Sequence, residues 1–507
     1  MLAAIPSAAV LGVEGHPVVV EVHVAMGLPG FTIVGLPDAT CREARDRVRA
    51  ALLSSGLSWP NQRITVNLAP AGLRKEGSGL DLPIAIGVLV AARQIPPDRV
   101  EGLGFVGELG LDGSVRRMSG LVPLIEAITT RCVVVPAAGF GEAVMAGARE
   151  VRPVASLIEL VDALRGLADW PDPPPSPPRS DPPAPPDLSD VRGQPWARQA
   201  VELAAAGGHH LLLSGPPGAG KTMLAVRLPG VLPPLSPRAS REVLRVASAA
   251  GNPVPDRLPV PVPFRAPHHS SSMVALVGGG TTAMRPGELS CAHRGVLFLD
   301  ELGEFPAASL DSLRQPLEDG VVRVSRARGS VTLPARFLLV AATNPCPCGW
   351  AGAGTGLPAC RCSPIQRDRY HRRLSGPLLD RFDLRLTVER PESDAILGDQ
   401  AAERSSVVAE RVAAAREVAQ ARGVESNSEL ATSTLGRWAS LTPAARRLIE
   451  QQLRRGDISA RGVARVRRVA RTIADLNQLP FDAPLTDETV SLALQLRRPP
   501  SFEAVAA

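Results

Sequence analysis

Residues 215–222 read G-P-P-G-A-G-K-T, and no other stretch of the chain restricts its fold so tightly. The spacing is that of the phosphate loop, G-x-x-x-x-G-K-[ST]. It follows the apolar run Leu211, Leu212, Leu213 and precedes a helical pattern, the strand–loop–helix setting the motif needs. Gly215, Gly218 and Gly220 let backbone N–H groups turn inward around phosphate oxygens, and the next helix adds the positive end of its dipole. Lys221 brings charge to the β and γ phosphates, and Thr222 offers a hydroxyl to Mg2+. The expected ligand is ATP with Mg2+. A chance glycine-rich turn would lack the flanking strand and helix.

Two further segments complete such a site. V-L-F-L-D-E-L (296–302) carries Asp300 to the end of a buried strand, where open α/β sheets bind ligands. Asp300 is expected to hold Mg2+, directly or through water, and Glu301 to polarise the attacking water. A strand end with surface acids is the bland alternative. In F-L-L-V-A-A-T-N (337–344) the polar Asn344 ends a strand beside the phosphate loop and suits a sensor that orients that water; alternatively it is a turn former before Pro345. L-S-G-P-L-L-D-R-F-D-L (374–384) places Arg381 after a short helix, exposed at the domain edge. It suits an arginine finger reaching a neighbour's γ-phosphate, which requires a ring; an ion pair with Asp380 or Asp383 is the alternative.

The clearest boundary is the proline-rich run 169–190, a semi-rigid spacer, with a ligand for a proline-reading domain as the alternative. Before it, 1–168 alternates strand runs (18–24, 63–69, 132–136) with helical patterns (40–54, 80–93), an α+β domain. After it, 191–392 reads strand–loop–helix, a parallel sheet flanked by helices. From 393 to 507 the pattern is helical, rich in Ala, Leu and Arg. No apolar run is long enough to span a membrane and the start has no basic segment or cleavage site, so the expected location is the cytoplasm. The net charge is +6, compatible with a polyanionic partner. With aromatic content at 3%, base stacking is a poor device here, and arginine–phosphate contacts are expected instead. Residues 317–337 read as two strands around a tip with Arg323, Arg326 and Arg328, suited to phosphates in a pore or else a solvated hairpin.

Four of the seven cysteines, Cys346, Cys348, Cys360 and Cys362, form two C-x-C pairs. Such thiolates can close a tetrahedral structural zinc site around a glycine-rich loop; free thiols or a disulfide are the alternatives. Four thiolates leave no open position for catalysis by the metal.

The collinear motifs G-L-P-G-F-T-I-V-G-L-P-D (27–38), K-E-G-S-G-L-D-L-P-I-A-I-G-V-L (75–89), F-R-A-P-H-H-S-S-S (264–272), R-P-G-E-L-S-C-A-H-R-G-V-L-F-L-D-E-L (285–302), A-A-T-N-P-C-P-C-G (341–349) and S-A-R-G-V-A-R-V-R-R-V-A-R-T-I-A-D-L (459–476), with the phosphate loop and the Arg381 segment, resemble the YifB/ComM family of magnesium-chelatase-like AAA+ ATPases. The resemblance runs nearly end to end. It implies a hexameric ring, insertions near 266–280 and in the hairpin before the sensor strand, and Arg461 as a second-sensor arginine. Through the ComM members it implies a DNA-stimulated ATPase driving branch migration on single-stranded or branched DNA. Of the five arginines from Arg461 to Arg471, some are expected to face nucleotide or DNA and several simply to solvate their helix. Residues 75–89 and 107–122 also resemble the Lon-type protease domain, an S5 domain 2-like α+β fold. There the nucleophile's place falls on Gly79, with Ser78 one position early, and the lysine's place falls on Val122, so protease chemistry is not expected. The expected activity is an ATP-driven DNA translocase or helicase. A protein-remodelling motor like the magnesium chelatase subunit is the alternative.

Overall fold

A computed structural model of the chain describes residues 1–72, 75, 77–147, 150–175, 184–255, 257–280, 284–326, 329–352, 358–392, 394–395 and 402–497. Part of the proline-rich run and of the segment between the two cysteine pairs lies outside them, as does Arg328.

The centre is a five-stranded parallel sheet in the order Phe264–Arg265, Val296–Leu299, Leu338–Thr343, Leu211–Ser214, Leu384–Thr387. The middle three strands are buried throughout, as continuous apolar runs demand in a sheet covered on both faces. Successive side chains alternate between the faces. Leu211, Leu213, Phe298, Val340 and Ala342 pack toward helices Pro195–Gly207, Ser405–Ala421 and Ala460–Leu476. Leu212, Leu297, Leu299, Leu339 and Ala341 face Leu310, Leu313 and Phe382, and the same core takes in Val322, Val324, Val331 and Leu333 of the hairpin Val321–Arg326/Gly329–Pro334.

The C-terminal helices are Ser405–Ala421, Pro443–Arg455, Ala460–Leu476 and Asp487–Gln495; Thr442, Ser459 and Thr486 cap the last three by accepting backbone N–H bonds. Arg467, Arg468 and Arg471 of Ala460–Leu476 do not solvate their helix as expected. Arg467 donates to the carbonyls of Leu435 and Ala439, and Arg468 to that of Leu430. Arg471 and Arg422 converge on Asp475, the Arg422 pair being bidentate at 2.6 Å and 2.6 Å with all three side chains fully buried. These groups tie irregular segments to the helix instead of solvating it, a tertiary role that helical periodicity does not encode.

The N-terminal residues form a four-stranded sheet in the order Leu2–Leu11, Glu14–Ala25, Arg63–Ala69, Gly30–Val34, with only the last pair parallel. Helix Asp81–Ala91 is buried along its whole length. Gly87 allows this, since a Cβ there would lie 2.5 Å from Val22 Cγ2. A second, three-stranded parallel sheet joins Leu103–Phe105, Cys132–Pro136 and Glu150–Val154. This unit is docked on the central one: Leu121, Leu124 and Ile125 share a core with Val243 and Leu244, and Ser248 accepts Gly120 N–H through its carbonyl (2.8 Å) and Val122 N–H through its hydroxyl (3.1 Å). Around the Lon-like positions, Ser78 Oγ donates to Glu108, while the buried Lys75 ammonium donates to the carbonyls of Gly35 and Pro70. No serine–lysine pair forms there among the described residues.

At the base of the central sheet the His210 carbonyl accepts the N–H groups of Asp383 and Leu384, both at 3.0 Å, and His210 Nδ1 accepts Leu339 N–H at 3.0 Å. The imidazole is therefore neutral, and burial pushes its pKa down to about 4 from 6.5. An unfolded chain binds that proton at a higher pH than the folded one, so the stability contribution is complete above pH 6.5 and falls as the pH drops toward 4, by about 3 kcal/mol at 1.36 kcal/mol per unit. Thermal unfolding midpoints should fall steeply between pH 7 and 4.5, and His210→Asn, which keeps an acceptor, should show a shallower decline.

Candidate functional site

The phosphate loop emerges from Leu211–Ser214 between the two neighbouring strands. Gly215 N–H donates to the Thr343 carbonyl at 3.2 Å, pinning the loop to the strand that ends in Asn344. A side chain at Gly215 would strike the Val388 carbonyl, and Gly218 and Gly220 take left-handed φ of 77° and 83°. The Lys221 ammonium donates to the carbonyls of Gly215 (2.7 Å) and Pro216 (3.0 Å) and to Asn344 Oδ1 (3.0 Å). Burial lowers its pKa, and Asp300 and Glu301 pull the other way. Thr222 Oγ1 lies 2.8 Å from Asp300 Oδ2, a hydroxyl and a carboxylate positioned to share one hard cation. The structure thus brings Lys221, Thr222, Asp300 and Asn344 to one edge of the sheet, with Glu301 next to Asp300.

Three residues there had no assigned role in the sequence reading. His269 Nδ1 sits 3.1 Å from Glu301 Oε2, and Glu301 itself has a left-handed φ of 51°. Gln194 Nε2 donates to the carbonyls of Ala219 (2.5 Å) and Glu389 (3.2 Å), and its buried Oε1 has no partner among the described residues. Arg390 donates twice to the Pro217 carbonyl, at 3.0 Å and 2.8 Å. The A-P-H-H run was visible in the sequence; Gln194 and Arg390 had no pattern to mark them, because each reaches the loop from a segment distant in the chain.

Arg381 lies elsewhere. The Asp383 and Leu384 N–H groups bond to His210, before the phosphate-loop strand begins, so Arg381 sits at the opposite edge of the sheet. A four-residue strand at about 3.3 Å per residue separates the two edges by roughly 13 Å. The sequence reading placed this arginine exposed; it is buried, with 9% relative exposure. Its partner is Glu318 rather than Asp380 or Asp383, it also donates to the Pro377 carbonyl (3.0 Å), and its Nε has no partner among the described residues. It lines a cleft of about 1230 Å³ with Glu318, Arg336, Arg416, Arg465 and Arg468. Arg461 is exposed, one helical turn before Arg465, which donates to the Arg381 carbonyl (2.9 Å) and Asp383 Oδ1 (2.7 Å). The second-sensor candidate therefore belongs to the Arg381 edge too. On the hairpin, Arg323 is exposed and sits 3.4 Å from Asp319; the side chain of Arg326 and the whole of Arg328 fall outside the described residues.

The four cysteines converge immediately after Asn344. Their Sγ atoms all lie within 4.8 Å of one another, and three separations are 3.3, 3.7 and 3.6 Å. A tetrahedron with bonds of about 2.3 Å has edges of about 3.8 Å, so the set fits one thiophilic ion. Ala351 N–H donates to Cys346 Sγ at 3.3 Å. Burial opposes ionisation of Cys348, yet the backbone N–H groups of Trp350 and Arg361 draw it down to about 6, while burial pushes Cys346 up to about 12. Among the described residues no helix is long and apolar enough to cross a membrane.

A parallel sheet in which the strand ending before Asn344 separates the phosphate-loop strand from the acidic strand, with a helical domain after it, defines a P-loop protein of the AAA+ class. Family models described as subunit ChlI of Mg-chelatase, magnesium chelatase subunit ChlI, and its C-terminal part match residues 20–138, 187–396 and 402–497. The chain is 46% identical to a protein of Mycobacterium tuberculosis over 97% of its length and 98% of the relative's. It is 43% identical to YifB of Escherichia coli and 43% identical to competence protein ComM of Haemophilus influenzae, each over 94% of both chains. The chain belongs to the YifB/ComM family of magnesium-chelatase-like AAA+ proteins.

Proposed function

We propose that the chain is an ATP-hydrolysing motor that assembles into a ring, hexameric by family resemblance, and translocates on DNA as a branch-migrating helicase during recombination of incoming DNA. The observation that carries the ring is the separation of the two half-sites. Lys221, Thr222, Asp300, Glu301 and Asn344 form one edge of the sheet, and Arg381, whose Nε has no partner among the described residues, waits at the other, its carbonyl held by Arg465 one helical turn after Arg461. Neither arginine reaches its own phosphate loop, so each serves the loop of an adjoining copy, where Arg381 stabilises charge on the γ-phosphate. In this reading Lys221 and the loop N–H groups hold the triphosphate, Thr222 and Asp300 hold Mg2+, and Glu301 takes the proton of a water that Asn344 orients. The working parts are 1–168, the linker 169–190, the ATPase core 191–392 with its cysteine insertion 346–362, and the helical domain 393–507.

DNA as substrate is supported by the similarity to a competence protein and by the exposed Arg323 of the hairpin, with Arg326 and Arg328 following it in the sequence. Work on intracellular DNA places the protein in the cytoplasm. The ion at Cys346, Cys348, Cys360 and Cys362 is zinc in this reading, and its chemistry is structural, since four thiolates fill a tetrahedron. A protein-remodelling motor is the second reading, favoured by three matches to magnesium chelatase subunit models.

ATP hydrolysis measured with and without single-stranded and branched DNA at two salt concentrations separates the readings. Stimulation that fades with salt is expected, through loss of phosphate contacts; no stimulation and no DNA retention at low salt favours the protein substrate. Lys221→Ala should abolish turnover. Mixing inactive Lys221→Ala chains with inactive Arg381→Ala chains should restore partial activity, because some sites then combine an intact loop with an intact neighbouring arginine; no recovery on mixing would refute the shared site. Metal analysis of the purified chain should find about one zinc per chain, as a single tetrathiolate site holds.

A further inference from the structure

We infer that the four-cysteine knuckle braces the phosphate loop, so that metal occupancy and nucleotide affinity are thermodynamically coupled. The inference rests on the nucleotide site and tetrathiolate proposed above and adds the connection between them.

Contacts reach the nucleotide site from the first cysteine pair and the residues beside it. Along the chain, Asn344 is followed by Pro345 and then by the first thiolate, Cys346, so the residue touching Lys221 is two positions from the metal set. Through space, buried Gly349 has a left-handed φ of 83°, and a Cβ there would lie 2.5 Å from Pro217 Cδ and 2.6 Å from Pro217 Cγ. The knuckle backbone thus rests on the proline ring inside the phosphate loop. Beside it the Trp350 ring carries the Arg390 guanidinium, 5.0 Å from its centroid, and that guanidinium holds the Pro217 carbonyl and lies 3.2 Å from where a Cβ on Gly218 would be. On the far side, helix Pro364–His371 begins straight after Cys362, and its His371 Nε2 lies 2.9 Å from the Pro345 carbonyl.

The segment carrying these contacts cannot hold itself in place. Between the thiol pairs, the described residues contain no strand or helix, and closing an irregular loop of this length costs entropy. A metal on four thiolates closes it and fixes Gly349 and Trp350 against Pro217. A phosphate loop must present its N–H groups in one conformation to bind a triphosphate, so a partner that fixes Pro217 lowers the cost of binding. Linkage requires the converse: bound nucleotide tightens metal binding by the same factor.

The test uses the full chain, a fluorescent Mg·ATP analogue and zinc. Trp350→Ala is expected to keep its zinc and a thermal unfolding midpoint near that of the parent chain, and Gly349→Ala to keep its zinc at a lower midpoint because its φ and the Pro217 ring oppose a Cβ; both should bind the analogue about tenfold more weakly, a usual size for coupling between sites. The double variant Cys348→Ser/Cys360→Ser should lose zinc and show at least the same loss. In competition with a chromogenic chelator, zinc affinity of the parent chain should rise by a matching factor when Mg·ATP is added. Variants that hold zinc and bind nucleotide like the parent, or a zinc affinity indifferent to Mg·ATP, overturn the brace alone. A parent chain that binds no Mg·ATP overturns the nucleotide-site reading, and one that holds no metal overturns the tetrathiolate.

Discussion

Strand direction governs the chemistry of this molecule. Each of the three central strands is sealed on both faces, so polar groups can appear only where the strands end, and because all run parallel their C-terminal ends share one edge. Lys221, Asp300 and Asn344 are therefore neighbours although they come from three segments far apart in the chain. The bond from Lys221 Nζ to Asn344 Oδ1 at 3.0 Å and that from Thr222 Oγ1 to Asp300 Oδ2 at 2.8 Å are local expressions of that rule. The same direction sends Arg381 to the edge where strands begin.

The basic side chains divide the labour by shape. The chain holds only two lysines, Lys75 and Lys221, and both are buried. A compact ammonium on a flexible stem fits among carbonyls that a planar guanidinium would force apart. Lys221 uses this inside the phosphate loop and Lys75 among the carbonyls of Gly35 and Pro70. Arginine does the rest, bridging carbonyls over longer distances in the helical domain and pairing bidentately with Asp475. A basic composition therefore overstates the charge available to a polyanion, because many guanidinium groups are spent inside the protein.

What was legible in the sequence follows from the range of the interactions concerned. The strand Arg63–Ala69 and the strand Cys132–Pro136 were read to the residue, since alternation or an apolar run is a local signal. The phosphate loop and acidic strand were legible because their chemistry allows few residue types. The convergence of four thiols was legible from spacing, but the seating of Gly349 on Pro217 was not, as nothing near either residue announces the other. The burial of Arg381 was hidden for the same reason: Glu318 and the cleft around it come from other parts of the chain.

The Arg381 segment is held from the helical side as firmly as from the sheet. Arg465 grips the Arg381 carbonyl and Asp383, Arg497 donates to the Phe382 carbonyl at 2.5 Å, and Leu496 accepts Arg385 N–H at 2.6 Å. Asp383, which burial alone would raise, is kept far below the usual carboxylate range by His209 and Arg465, so the carboxylate stays charged and the grip persists. Arg381 is thus bolted to the helical domain by several charge-assisted bonds, while Lys221 is bolted to the sheet. The segment therefore sits where the helical domain meets the central sheet, gripped by Arg465 and Arg497 from one side and by the His210 carbonyl from the other.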